Sequence, residues 1–338
     1  MMTLSNELRQ RGQEVSFLTF KGRGLGDHVN QLGFESAEVR VRTKVDPLAV
    51  IAMSRAIRQA RADIVHCHLS TSAVNGALAA KMAGVPGVST VHGLSGKLSF
   101  KPSYHLIAVS AEVRRHMVLQ GIHESKISIV PNGIELQDWS PNDRLEARRA
   151  LGIALDVPVL GTTARLTQLK GVNQALYAVA RVKVDFPNVR YVVFGDGEQR
   201  KELADLSRSL GIEENVVWLG YRNDVPKLLP ALDLFLFPSL REAMGISIVE
   251  AMAACVPAVA TTIGGIPEVV TPETGVLVPP SDPIAMADAI VGYLRDPEKR
   301  LSAGQAAWER AHTEFSASRM AARTLGVYAD VLDRYGRV

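Results

Sequence analysis

The chain has 338 residues, 47% apolar and 22% charged, ordinary globular proportions that exclude a disordered or fibrous protein. A net charge of +3 is too balanced for a dedicated nucleic-acid binder, and the length suits about two domains. Residues 1–150 hold 19 Lys/Arg against 13 Asp/Glu and seven of the eight histidines, whereas 151–338 hold 19 against 22, so the first half suits an anionic or amphipathic partner.

Residues 2–11 read as a helix. A doubly wound domain starts with a strand and a glycine-rich turn before its first helix, so the expectation is that this domain lacks its first strand. A strand follows at 15–20, then Lys21-Gly22-Arg23-Gly24-Leu25-Gly26-Asp27. Without a Gly-Lys-Ser/Thr this run is a mobile basic loop rather than a phosphate loop. The helix over 48–61 carries Arg55, Arg58 and Arg61 three apart, a basic face that is solvated or suited to anionic lipid headgroups. Further strands are expected at 64–66, 87–91, 106–109 and 126–130. His66 and His68 end the first of these with Cys67 between them. A third metal ligand is not evident and neighbouring strand residues face opposite sides, so packing or acceptor contact is expected there. His92 stands at the C-terminal end of strand 87–91, where doubly wound sheets place ligands. It is either a structural hydrogen-bonder or a donor to a sugar or phosphate oxygen.

Turn chemistry over 132–156 separates this series from a second one. Strands are expected at 157–163, 189–194, 216–219, 234–237, 256–260 and 276–278, with helices at 172–185 and 199–210. Tyr191-Val192-Val193-Phe194 is apolar without alternation, as in a strand buried on both faces. Asp282-Pro283 is a helix-start pair, and 300–335 reads as a terminal helix. Repeated strand–helix units make the fold class α/β, with two doubly wound domains.

Two loops of the second series carry chemistry. Arg165 and Lys170 lie between a strand and a helix, where two cations can converge on one diphosphate, although solvated surface charge is the plainer reading. Pro238 ends a strand and a helix begins near Ile246, so the N–H groups of Gly245 and Ile246 point out of a helix N-terminus, a seat for phosphate. Glu242 precedes that terminus and Glu250 lies about a turn inside, bracketing a bound phosphate or simply lying at the surface. Cys67 and Cys255 form no CxxC pair, which disfavours a disulfide framework or zinc site and makes a reducing cytosol the expectation. The apolar stretch 251–267 is broken by Pro257 and Gly264-Gly265 and is not an unbroken spanning helix.

The run from Glu242 to Glu250, two glutamates separated by seven residues, is similar to the signature of retaining glycosyltransferase family 4 (glycosyl transferases group 1). So are 251–261, Gly264-Gly265-Ile266-Pro267-Glu268, Gly275-Val276-Leu277-Val278-Pro279-Pro280, Val130-Pro131-Asn132-Gly133-Ile134 and Val193-Phe194-Gly195-Asp196-Gly197, in family order from about residue 7 to 330. The resemblance implies the GT-B fold, two facing Rossmann-like domains with a cleft between them. It divides the chain into an acceptor-side domain over 1–140, a nucleotide-sugar domain over 141–315, and a C-terminal helix, 316–338, packing back on the first.

By the same resemblance, Glu242 meets hydroxyls of the donor sugar, Glu250 holds the ribose, and Arg165, Lys170, Gly245 and Ile246 hold the diphosphate. His92 lies near the reacting sugar, and the nucleobase meets backbone near residues 220–222. Family members often have Gly-Phe where Ala243-Met244 stand, which implies an altered sugar preference with Met244 in the sugar site. The implied activity is a metal-independent, retaining hexosyl transfer from a nucleotide-diphosphate sugar, without cofactor or carboxylate nucleophile. The acceptor is a glycan or lipid-linked molecule of the polysaccharide or lipopolysaccharide type, and the setting is cytoplasmic, with peripheral contact at the inner face of an anionic membrane and no nucleic-acid partner. A sugar-nucleotide-binding partner without activity and an epimerase on the same fold stay open as alternatives. A dehydrogenase is disfavoured, since no Gly-x-Gly-x-x-Gly opens a first strand–helix unit.

Overall fold

Runs that are apolar at every position form inner strands, because a parallel strand covered by helices on both faces turns no side to water. Leu234–Phe237 is such a run, buried at all four positions, and Gly87–Val91 is buried at all five although it holds Ser89 and Thr90. The computed structural model describes residues 1–336, in two units: residues 1–133 with 317–336, and residues 134–316.

The first unit opens on the helix Met2–Gln10, which leads into β1 (Ser16–Phe20). β1 pairs in parallel with β2 (Glu35–Val39), and these two strands make a sheet of their own. β3 (Val65–His68), β4 (Gly87–Val91), β5 (His105–Ala108) and β6 (Ile127–Ile129) form a second parallel sheet in sequence order. Helices Pro47–Gln59 and Ser70–Ala83 bury Met53, Ile57 and Ala79 against Leu18, Phe20 and Val39 of the small sheet and Val65 of the larger one. The terminal helix Ala317–Gly336 covers Leu4 and Leu8 of the first helix, and Arg11 Nη2 donates to Ser318 O at 3.0 Å.

The second unit holds β7 (Val159–Thr163), β8 (Arg190–Phe194), β9 (Val216–Gly220), β10 (Leu234–Phe237), β11 (Ala258–Thr261) and β12 (Gly275–Val278), all parallel, in the order β12-β11-β10-β7-β8-β9. Read from the other edge this is 3-2-1-4-5-6, the doubly wound order that reverses direction between its first and fourth strands, here β7 and β10. Loops leaving β7 and β10 therefore diverge to opposite faces and leave a crevice at the carboxyl ends of the strands. Helices Val172–Asp185 and Pro283–Arg295 pack on one face around Leu176, Val179, Tyr191 and Ile290. Asp282 Oδ1 caps the second of them by accepting from Ala285 N at 2.9 Å.

Four local expectations are corrected. β2 went unread because Glu35, Ser36, Ala37 and Glu38 leave Val39 as its one buried residue. Residues 21–27 are not wholly loop: Gly24, at φ +70°, ends a turn and the helix Leu25–Gln31 starts directly after it. The basic face over 48–61 is incomplete, since the helix stops at Gln59, Arg61 lies beyond it at φ +49°, and Arg58 Nη2 donates to Met82 O. The terminal helical region is two helices, Pro297–Glu314 and Ala317–Gly336. The break falls where Ile134 donates to Phe315 O at 2.9 Å and bridges Ser316, and the second unit spans Ile134–Ser316.

Candidate active site

The loop after β7 carries Arg165 and Lys170, and the loop after β10 carries Glu242, so both flank the switch point of the second sheet. Two close backbone approaches hold them there. Leu240 N donates to Leu169 O at 2.8 Å, and Gly171, at φ +62°, lies so near the end of β10 that a Cβ would sit 2.1 Å from Pro238 O. Glycine alone satisfies both the left-handed backbone and the lack of space. On the other side, Gly264 at φ +59° lies beneath Glu242, where a Cβ would be 1.9 Å from Glu242 O.

Between these supports Lys170 Nζ meets Glu242 Oε2 at 2.6 Å, with the side chains 27% and 15% exposed. The ammonium also lies 5.5 Å from the Phe237 ring centroid, and Glu242 Oε1 accepts from Ala243 N at 3.0 Å. Arg165, five residues before Lys170, is exposed, and among the described residues it forms no ion pair. The cations expected to act together are thus placed differently: Lys170 is already seated on Glu242, and Arg165 faces solvent.

Three residues after Glu242, Gly245 at φ +92° caps the helix Ile246–Ala253, and no side chain caps that end among the described residues. The first N–H groups of a helix have no partner within it, and the macrodipole makes that end electropositive. Ile246 is exposed, whereas Met244 is 3% exposed and belongs to the packed interior of the unit. Glu250 lies on the same helix, and burial pushes its carboxyl above the usual carboxylate range. At the end of β9, Tyr221 is exposed and Arg222 is held by Asp224 at 2.6 Å.

His92, directly after β4, belongs to a row of three imidazoles in the first unit. His68 Nδ1 is 2.9 Å from His92 Nε2, with the rings stacked at 5.2 Å. His66 stacks on His68 at 4.4 Å and meets Tyr328 Oη through Nδ1 (2.5 Å) and Thr90 Oγ1 through Nε2 (2.7 Å). Residues two apart in a strand share a face, so His66 and His68 lie together while Cys67 is buried, its thiol pushed up to about 12 by burial. Burial also lowers His66 to about 3, His92 to about 4, and His68 well below its ordinary value. All three rings are neutral near pH 7. Their union is what sequence reading missed; the signal was the spacing His66-x-His68 on a strand whose neighbour is followed directly by His92.

Residues 143–310 match the model of glycosyl transferases group 1, and residues 1–138 match glycosyltransferase family 4. The chain belongs to glycosyltransferase family 4. Among relatives of this transferase, the N-acetyl-alpha-D-glucosaminyl L-malate synthase of Bacillus anthracis is 28% identical over 99% of this chain and 94% of its own length. The UDP-Gal:alpha-D-GlcNAc-diphosphoundecaprenol alpha-1,3-galactosyltransferase of Escherichia coli is 29% identical over 65% of this chain and 63% of its own. The structure of Anabaena HepE in complex with UDP-glucose is similar with a TM-score of 0.84 at 24% identity, covering 97% of this chain and 95% of that one. That of WaaG, a glycosyltransferase involved in lipopolysaccharide biosynthesis, gives 0.72 at 19%, covering 94% and 92%. Both are GT-B proteins, and the expected α/β fold of two Rossmann-like units is the one observed.

Proposed function

We propose that this transferase is a retaining, metal-independent enzyme that moves a sugar from a nucleotide-diphosphate sugar to a glycan or lipid-linked acceptor of the cell envelope. The observation that carries the reading is the Lys170–Glu242 pair at the switch point, next to the uncapped start of helix Ile246–Ala253. A cation and a helix N-terminus within a few residues of each other suit a pyrophosphate. The names of the relatives, one acting on a diphosphoundecaprenol-linked sugar and one on malate, support an acceptor outside nucleic acid.

Transfer breaks the bond between the anomeric carbon and the diphosphate oxygen and forms one to the acceptor oxygen, whose proton passes to the departing phosphate. Negative charge grows on that phosphate. Lys170, Arg165 and the N–H groups of Gly245 and Ile246 stabilise it where it develops. The diphosphate competes with Glu242 for Lys170, so donor binding releases the Glu242 carboxylate to accept from sugar hydroxyls. Glu250, its carboxyl already raised by burial, takes the ribose hydroxyls. The first unit holds the acceptor and contributes His92, and attack on the face that the phosphate leaves requires no carboxylate nucleophile. Met244, being buried, shapes the sugar site through packing. A lipid-linked acceptor brings the enzyme to a membrane surface as a peripheral protein, and no helix among the described residues is long and apolar enough to cross one.

Incubating the purified chain with a panel of nucleotide sugars and candidate acceptors, with and without EDTA, tests the reading. The expected result is turnover unaffected by EDTA, with the donor's anomeric configuration kept in the product by NMR. Turnover that requires added divalent ion, or an inverted product, overturns it.

A further inference from the structure

The row of histidines in the first unit has a direction. β3 and β4 are paired in register, His66 opposite Val88 and His68 opposite Thr90, and His92 follows two residues beyond Thr90. Residues two apart along a strand are separated by roughly 6.6 Å of rise, yet the His66 and His68 rings stand 4.4 Å apart. The two rings lean together. One end of the row is anchored by Tyr328, from helix Ala317–Gly336, and by Thr90, which between them occupy both nitrogens of His66. At the other end the Asn132 side chain hydrogen-bonds the His92 ring.

Packing alone explains stacked rings but not the contact between His68 Nδ1 and His92 Nε2 at 2.9 Å. Two neutral imidazoles meeting through nitrogen must divide the roles, one N–H donating and one lone pair accepting. His68 holds Nε2 of His92, which leaves Nδ1 for the Asn132 side chain, and an amide oxygen accepting there makes Nε2 the lone pair and His68 Nδ1–H the donor.

We propose that His68 is a positioning residue that fixes His92 as a neutral hydrogen-bond donor: His68 fills the Nε2 lone pair and leaves His92 its Nδ1–H to offer to a substrate oxygen in place of Asn132. His66, pinned by Tyr328 and Thr90, keeps the His68 ring from turning. This assignment rests on the reading of His92 as a residue of the transfer site. It makes His92 a donor and takes away its capacity to act as a base.

The test uses the whole chain with 15N-labelled histidine, reading the tautomer of each ring from long-range 1H–15N correlations and assigning His92 from the signal lost in His92→Gln. His68→Phe keeps a stacked ring and removes the hydrogen bond, and His68→Asn returns an N–H near the position of Nδ1. The expected spectrum of the native chain shows His92 protonated on Nδ1, and His68→Phe turns it into a mixture of tautomers. In the same variant kcat falls by about five- to tenfold with the donor KM unchanged, and His68→Asn restores both the tautomer and kcat. His92 protonated on Nε2 in the native chain overturns the proposal without any variant, and so does an unchanged His92 tautomer in His68→Phe. If His92→Gln is as active as the native chain, the use of His92 in transfer falls, while the spectra still decide the role of His68.

Discussion

Replacing Gly264 with alanine tests whether the backbone under Glu242 sets the donor site. The added Cβ would stand 1.9 Å from Glu242 O, well inside the 3.0 Å below which such contacts essentially never occur, and φ is +59°. The turn at 262–265 and the Glu242 loop must therefore separate by about 1 Å, the scale of misplacement that costs on the order of 100-fold in rate. Overpacking adds about 1–3 kcal/mol and the left-handed backbone about 1 kcal/mol, so the loss of stability is about 2–4 kcal/mol. For a unit of this size the melting temperature falls by roughly 4–16 °C. Gly292→Ala is the control: this glycine lies in helix Pro283–Arg295 with nothing within 4 Å of the added carbon, and alanine there stabilises by about 0.5–1 kcal/mol. Initial rates at varied donor concentration, with thermal melts of both variants, make the comparison. If Gly264→Ala keeps its kcat/KM within about twofold of the native chain, the carbonyl contact does not govern where the Glu242 carboxylate sits and the reasoning is wrong.

Removing the cation by Lys170→Met is expected to lower kcat by roughly 100- to 1000-fold. The partly exposed ion pair contributes at most about 1 kcal/mol to stability, so the melting temperature barely moves; a large thermal shift would mark Lys170 as structural. Asp233, 6% exposed, accepts from Arg144 Nη2 (2.7 Å), Arg148 Nη2 (2.8 Å) and Val159 N (2.8 Å), and Arg148 is itself 1% exposed. Asp233→Ala leaves that guanidinium buried and uncompensated, costing about 3–5 kcal/mol in urea unfolding; a loss under about 1 kcal/mol would show the cluster to be idle. His66, His68, His92 and His105 all titrate below the ordinary 6.5 because burial disfavours their charged forms. The unfolded chain binds their protons first, so the stability they contribute is complete above about pH 6.5 and is lost as pH falls towards 3 to 4, at about 1.4 kcal/mol per pH unit for each ring. Melts between pH 7.5 and 4.5 check this, and a flat profile would contradict the buried, neutral row.

Among the described residues, eleven of the twelve strands were legible because their signal is local. A strand such as Tyr191-Val192-Val193-Phe194 must be buried on both faces wherever the sheet places it, and helix caps such as Asp282-Pro283 act within one turn. β2 lacked that signal, since one buried valine does not make an apolar run. The loops that carry Lys170 and Glu242 were legible for the same reason. A glycine before an apolar helix, with acids on either side, is a pattern within a dozen residues.

Chain-local chemistry thus determined the α/β class, the two strand–helix series and the loops that carry Arg165, Lys170, Glu242 and Gly245. Only the tertiary structure decided how they meet. The reversal of strand order between β7 and β10 brings Lys170 to Glu242 across 72 residues of chain, and the β3–β4 register brings His68 to His92 across 24. It also decided which glycines lack room for a side chain, because the atoms that would collide belong to a different loop. Periodicity and capping are energies of neighbours along the chain, whereas sheet order and register are settled by burial among segments that meet after folding.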